Sequence, residues 1–218
     1  MNTTIYLIRH GEVEYQYDDQ GRKLTYGPDA DLSETGKKQI ETLAKKFEKE
    51  GVVFDVIYTS PYNRAYESVL IIAKCLNFNQ EKVLIEPDFK DIWAPGWIAT
   101  SMDELKSIGG DIYSKPPKTK DQESLSHLTK RIISAFKEVV NKEKGKTVGI
   151  VGHGDPLRVL IFRLQDQVSP LPTMAEMAEW DYLKKGEAWR LALDEKGRLL
   201  EKELIAKDEK LIAGERDY

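Results

Sequence analysis

Apolar residues fall along this chain in two alternating rhythms. Short, almost wholly apolar runs occur at Ile5-Tyr6-Leu7-Ile8, Val56-Ile57-Tyr58-Thr59, Val83-Leu84-Ile85 and Val148-Gly149-Ile150-Val151. Runs this brief, and apolar on both faces, predict buried parallel strands. Between them the apolar positions recur every three or four residues. Ile40, Leu43, Ala44 and Phe47 form one such set, opened by Ser33 as helix cap and closed near Gly51. Ala65, Val69, Ile72, Ala73 and Leu76 form a second. Leu125, Leu128, Ile132, Phe136, Val139 and Val140 form a third, ended by the polar turn from Lys142 to Gly145. Pro156 to Leu164 reads as a buried helix. Ala188 to Leu193 and Leu199 to Ile205 flank Glu195-Lys196-Gly197 and predict a hairpin, and the charged tail from Lys207 predicts a frayed end.

Strands alternating with helices predict an α/β fold, a single domain with a mostly parallel central sheet and helices on both faces. No repeat, low-complexity tract or linker divides residues 1–218. The texture changes only between Ile92 and Asp121, where Trp93, Trp97, Tyr113, Gly109-Gly110 and Pro116-Pro117 cluster. That composition predicts a cap insertion, roughly residues 92–121, over the sheet edge where ligands bind.

The chain's 218 residues suffice for one sizeable core, and its net charge of −4 with a pI near 5.6 gives no support for a nucleic-acid surface. A single cysteine, Cys75, excludes an internal disulfide and sits in an apolar helical stretch, as a packing residue would. No run approaches the roughly 20 apolar residues of a membrane span, and no basic leader precedes the first strand. A cytoplasmic protein is expected.

The chemistry gathers at strand ends. Two of the three histidines follow an apolar strand and precede glycine, in Arg9-His10-Gly11 and His153-Gly154. A third strand breaks into Ser60-Pro61, with Arg64 one turn later. Parallel strands of an open sheet present their carboxyl ends on one edge, so two imidazoles and two guanidiniums would converge there. Arginine's planar, permanently charged fork suits phosphoryl oxygens, and a neutral histidine suits nucleophilic attack. The glycines would let a substrate approach the backbone. Ser60-Pro61 and Asp155-Pro156 read as helix caps with proline in the first turn. His127, without a partner motif, reads as a surface or structural residue, and Lys45-Lys46 and Lys184-Lys185 as solvated faces. Neither strand-end histidine has carboxylates at metal-ligand spacing, so no metal is expected.

At these residues the sequence resembles the histidine phosphatase superfamily, the phosphoglycerate-mutase-like proteins. Arg9-His10-Gly11 matches the family's first motif, Leu32-Ser33-Glu34-Thr35-Gly36 its Leu-(Thr/Ser)-x-x-Gly helix start, and Ser60-Pro61-Tyr62-Asn63-Arg64-Ala65 its Ser-Pro-x-x-Arg-Ala segment. Glu123-Ser124, with Arg131 downstream, resembles the family's Glu-Ser helix start, and His153-Gly154 with Arg158 its second histidine motif. The matches run in family order from about residue 4 to 164.

The resemblance implies that His10 attacks phosphorus, that Arg9, Arg64 and His153 hold the phosphoryl oxygens, and that a carboxylate protonates the leaving oxygen. In the stretch Phe89-Lys90-Asp91-Ile92-Trp93, Asp91 stands where the family usually places a glutamate. It implies a phosphatase of small phosphorylated substrates, with catalytic His10, Asp91 and His153 and no cofactor. Two other readings stay open: a phosphoglycerate mutase, although no Arg-His-Tyr-Gly run occurs between Ile92 and Asp121, and a non-catalytic phosphate-binding or scaffold protein. A phosphoprotein substrate is a further variant. Arg158 is either a surface residue or a support to the pocket. Val13 and Gln16 replace the Thr/Ser and Asn common in the family, and the stretch from Glu12 to Asp31 is long. That stretch, residues 92–121 and Gln165 to Lys185 would set the substrate. The oligomeric state is not legible.

Overall fold

The alternation in the sequence becomes a three-layer α/β sandwich. A computed structural model describes residues 2–113, 115–165, 173 and 182–205. The elements in chain order are β1 (Thr3–Arg9), α1 (Glu34–Lys49), β2 (Val56–Thr59), α2 (Asn63–Cys75), β3 (Val83–Ile85), α3 (Met102–Ser107), α4 (Leu125–Lys142), β4 (Thr147–Gly152), α5 (Gly154–Gln165), β5 (Ala188–Leu193) and β6 (Leu199–Ile205). The sheet runs β3-β2-β4-β1-β5-β6. Its first three pairings are parallel, and the hairpin β5–β6 closes the far edge antiparallel.

Side chains alternate across a strand, and each central strand feeds two cores. Ile5 and Leu7 of β1 pack with Ile150 of β4 against Ile132 and Phe136 of α4 and Leu160 of α5. Tyr6 and Ile8 point the other way, with Ile57 and Val151, onto Leu43 and Phe47 of α1 and Val69 and Ile72 of α2. The same strands are therefore apolar on both faces, as their sequences required. Ser33 caps α1 by accepting from the Gly36 N–H, and Ser124 caps α4 by accepting from the His127 N–H.

Register decides where the chemistry sits. Val151 lies opposite Ile8 on one side and Thr59 on the other. Three strands thus end level, delivering His10, His153 and Ser60 to one edge. Beyond that edge, residues 15–32 and 92–102 are stitched together. The Thr25 N–H donates to Thr100 O at 2.8 Å, the Ala99 N–H to Thr25 O at 3.1 Å and the Met102 N–H to Lys23 O at 2.8 Å.

Three local readings are corrected. Helix α2 starts at Asn63 and α5 at Gly154, so neither Ser60 nor Asp155 is a cap; Asp155 lies inside the first turn. Lys185 is buried rather than solvated. The expected frayed tail from Lys207, and residues 166–172 and 174–181 of the stretch from Gln165 to Lys185, lie outside the described residues. Among the described residues no helix is long and apolar enough to cross a membrane.

Candidate active site

His10 leaves β1 fully buried, one residue past the last rung shared with β4. Its Nδ1 lies 2.7 Å from its neighbour's carbonyl, Gly11 O. A carbonyl only accepts, so Nδ1 carries the proton and Nε2 keeps a bare lone pair. The Arg64 Nε–H faces that lone pair at 3.3 Å, a long and weak bond. Burial, then Arg64, His153, Arg9 and Lys185, hold the His10 pKa well below the ordinary 6.5, and the ring is neutral at pH 7.

His153 follows β4 in the same way, with no exposed surface. The two rings lie 5.2 Å apart, centroid to centroid. Ser60 Oγ accepts from the Tyr62 N–H and lies 2.7 Å from His153 Nε2, where its hydroxyl is placed to donate. With Ser60 as the donor, the His153 proton lies on Nδ1, which among the described residues has no hydrogen-bond partner and faces Asp91 Oδ2 at 3.5 Å. Burial foremost, with Arg64 and Arg9 and against Asp91, keeps His153 well below its ordinary pKa.

Arg64, 2% exposed, is the hub. Besides His10, its NH1 donates to Gly27 O at 3.0 Å and its NH2 to Asp91 Oδ2 at 2.9 Å. The rings of Tyr26 and Tyr62 lie 5.0 and 5.2 Å from its guanidinium carbon. Burial alone would raise the Asp91 carboxyl, but His153, Arg64 and the Ile92 N–H outweigh it, and its pKa lies below the ordinary 3.8. Since burial keeps His153 neutral, Arg64 carries this stabilisation. Asp91 is therefore a carboxylate in the empty site. Asp155 is its opposite: burial, with Asp91 adding and Arg158 opposing, raises its pKa, and the Tyr113 hydroxyl donates to its Oδ2 at 3.0 Å.

Arg9 lines the same cavity and donates from NH1 to Leu183 O at 2.9 Å. Arg158, read from sequence as surface or support, is buried. Its guanidinium stacks 3.9 Å from the Tyr182 ring, which also lies 4.7 Å from that of Arg9. The glycines act differently from expectation. A Cβ on Gly11 would overlap the Gly36 carbonyl, so glycine there lets the α1 start close against the nucleophile loop. A Cβ on Gly154 would overlap the Tyr182 hydroxyl and crowd Arg9 at 3.1 Å. Both serve protein packing.

The Asp91 loop rests on a buried ion pair. Arg131 Nε and NH2 meet the two carboxylate oxygens of Glu123 at 2.6 and 2.7 Å. The same guanidinium donates to the carbonyls of Asp88, Lys90 and Asp91 at 2.7, 2.9 and 3.0 Å.

The structure thus brings together all the residues singled out from sequence: Arg9, His10, Arg64, Asp91 and His153. It adds Ser60, Tyr26, Tyr62 and Tyr182, none of which had a periodic signal. His127 is exposed and bonds Glu123 at 2.9 Å, away from the pocket. Above the charged floor opens a cavity of about 160 Å³, walled by Tyr26, Trp93, Trp97, Ile98, Met102 and Ile112 among others.

A family model of the histidine phosphatase superfamily, branch 1, matches residues 5–181. The chain belongs to that superfamily. A phosphoserine phosphatase 1 from Hydrogenobacter thermophilus is 32% identical over 158 residues, covering 71% of this chain and 72% of the relative. A 2,3-bisphosphoglycerate-dependent phosphoglycerate mutase from Parvibaculum lavamentivorans is 27% identical over 224 residues, covering 96% and 99%. Among solved structures, YhfR of Bacillus stearothermophilus superposes with a TM-score of 0.73 at 25% identity, over 91% of this chain and 94% of that one. Within the superfamily pattern, the glycine of Leu32-Ser33-Glu34-Thr35-Gly36 has a local reason: a Cβ there would overlap the Glu12 carbonyl.

Proposed function

We propose that this protein hydrolyses phosphomonoesters through a phosphohistidine on His10, without a metal. The observation that carries the reading is the single bare lone pair of His10 Nε2, facing a guanidinium that also grips a carboxylate. Nε2 attacks phosphorus and the ester P–O bond breaks. The departing oxygen takes a proton from Asp91, which is 2.9 Å from the same guanidinium. Water then attacks the phosphohistidine, gives its proton to the Asp91 carboxylate, and phosphate leaves.

Asp91 begins ionised, so it must gain the proton it donates. A phosphoryl dianion occupying Arg64 takes away the charge that holds Asp91 down and adds a like charge beside it. A phosphomonoester, whose second pKa lies near 6, can bring that proton in. Arg9, Arg64 and the unpartnered His153 Nδ1–H would hold the phosphoryl oxygens and meet the charge that grows on them. Residues 92–121 act as a cap that keeps bulk water from the phosphohistidine.

The substrate would be a small phosphorylated molecule, and the lone Cys75 suits a reducing cytoplasm. The mutase reading draws on the Parvibaculum relative, but the Arg-His-Tyr-Gly run is missing here. A pure phosphate binder would need neither a tautomer-locked nucleophile nor an acid. The test is hydrolysis of an aryl phosphate with excess chelator, and acid-quench trapping of the phosphoenzyme. Turnover should survive the chelator, and label should be held at Nε2 of His10. Activity abolished by chelator and restored by a divalent ion would overturn the mechanism.

A further inference from the structure

The cavity over the phosphoryl site has a lopsided chemistry. Among the described residues its only cationic lining residues are Arg9 and Arg64, at the floor, and its other charged lining residues are Asp91 and Asp155. The remaining wall is aromatic and aliphatic, from Tyr26 and Tyr62 to Trp93, Trp97, Ile98 and Met102. Trp93 and Ile98 keep 36% and 40% of their surface exposed at this wall, where an apolar side chain gains nothing from water. The Trp93 indole is held in place by its Nε1–H, which donates to Asp121 Oδ2 at 3.1 Å. Two lysines that contact aromatic rings of this region are already engaged. Lys118 sits 3.7 Å over the Trp97 ring and bonds Glu104 at 2.7 Å, and Lys185 donates to the Tyr15 hydroxyl at 2.6 Å.

Resting on the phosphatase reading above, we propose that the leaving group accepted here is an uncharged aromatic or bulky apolar alcohol, and that carboxylate-bearing esters such as phosphoserine and phosphoglycerate are poor substrates. Once the two arginines hold the phosphoryl group, a substrate carboxylate would sit among aromatic rings and two acids, with no further cation among the described lining residues to meet it. A buried anion without a partner is strongly disfavoured. A ring or branched chain would instead replace water along the whole wall. Asp155, held by the Tyr113 hydroxyl, adds a polar point that an alcohol hydroxyl can use.

The experiment compares kcat/KM for phenylethyl phosphate, phosphoserine, a monophosphoglycerate and phosphocholine, with an aryl phosphate as the general reporter. All four have alkyl leaving oxygens, so the comparison reads the pocket rather than intrinsic lability. Phenylethyl phosphate should lead by about tenfold or more, the scale on which apolar pockets discriminate. Trp93→Ala should erase most of that lead. Ile98→Arg should raise phosphoserine relative to phenylethyl phosphate. Equal rates, or preference for phosphoserine, phosphoglycerate or phosphocholine, would overturn the inference and leave the phosphatase standing. Turnover of no ester, the aryl phosphate included, would remove the phosphatase reading itself.

Discussion

Glu123 and Arg131 face each other fork to fork, at 2.6 and 2.7 Å, directly beneath the loop that carries Asp91. Arg131 spends its other donors on the carbonyls of Asp88, Lys90 and Asp91, so the pair works as a clamp on a loop that lies outside any strand. Lysine cannot reproduce a two-pronged contact. Arg131→Lys should therefore lower kcat for alkyl phosphates more than for aryl phosphates, because Asp91 loses its aim. Arg131→Ala, leaving Glu123 buried and unpaired, should also cost about 3–5 kcal/mol of stability, read by denaturant unfolding.

Asp91→Asn separates the two halves of the proposed reaction. The amide keeps the shape but neither gives nor takes the proton. Alkyl phosphates should slow by about a hundredfold or more and aryl phosphates much less, since a good leaving oxygen needs little protonation. Equal slowing of both classes would move the acid elsewhere, and Asp155, the carboxyl with the raised pKa, would be tested next.

The arginines should separate as well. Arg64→Ala removes a contact to the nucleophile, one to the acid and one to the phosphoryl group, and kcat should fall at least a hundred- to a thousandfold, about the value of one oxyanion donor. Arg158 stacks on Tyr182 and does not line the cavity. Arg158→Ala should cost about tenfold or less, through loosened Tyr182 and Arg9. Similar losses in steady-state kinetics would mean that Arg158 touches phosphate.

Burial of His10 and His153 in neutral form has a consequence for stability. Both have folded pKa values well below the 6.5 of an open chain, so below 6.5 the unfolded state binds protons that the folded state refuses. The sign is fixed: this contribution is present above 6.5 and declines as pH falls through it, by up to about 1.4 kcal/mol per pH unit for each ring. Denaturant titrations near pH 7 and pH 5 should show the decline, and His10→Asn should lessen its slope. An unchanged slope would mean that His10 is protonated in the fold.

Much of this was legible because it was local. Ile5 to Ile8 and Val148 to Val151 announce buried strands in four residues each, and the dipeptide after each strand places a histidine at the edge. What escaped depends on partners far apart in the chain. Ser60 before Pro61 has the local look of a cap, yet its hydroxyl serves His153, 93 residues on. Asp155 before Pro156 misleads in the same way, being engaged by Tyr113 across the pocket. Lys185 looks like one more surface lysine until Tyr15 and Tyr26 close over its Nζ. Gly11 and Gly36 need one another, and neither sequence context says so.

The level ending of β1, β2 and β4 divides the molecule's labour along the chain. Arg9, His10, Ser60, Arg64 and His153 inherit their spacing from the hydrogen-bond ladder of the sheet, whose rungs cannot slip without turning two cores inside out. The rings and aliphatic groups that wall the cavity above them come largely from residues 92–112, strung between those fixed points and tied to the body through residues 23–25. Reaction and recognition are thus separate inheritances. The stretch from 92 to 112 is a cassette: exchanged whole with that of a relative, it would carry a new appetite into an unaltered phosphoryl chemistry.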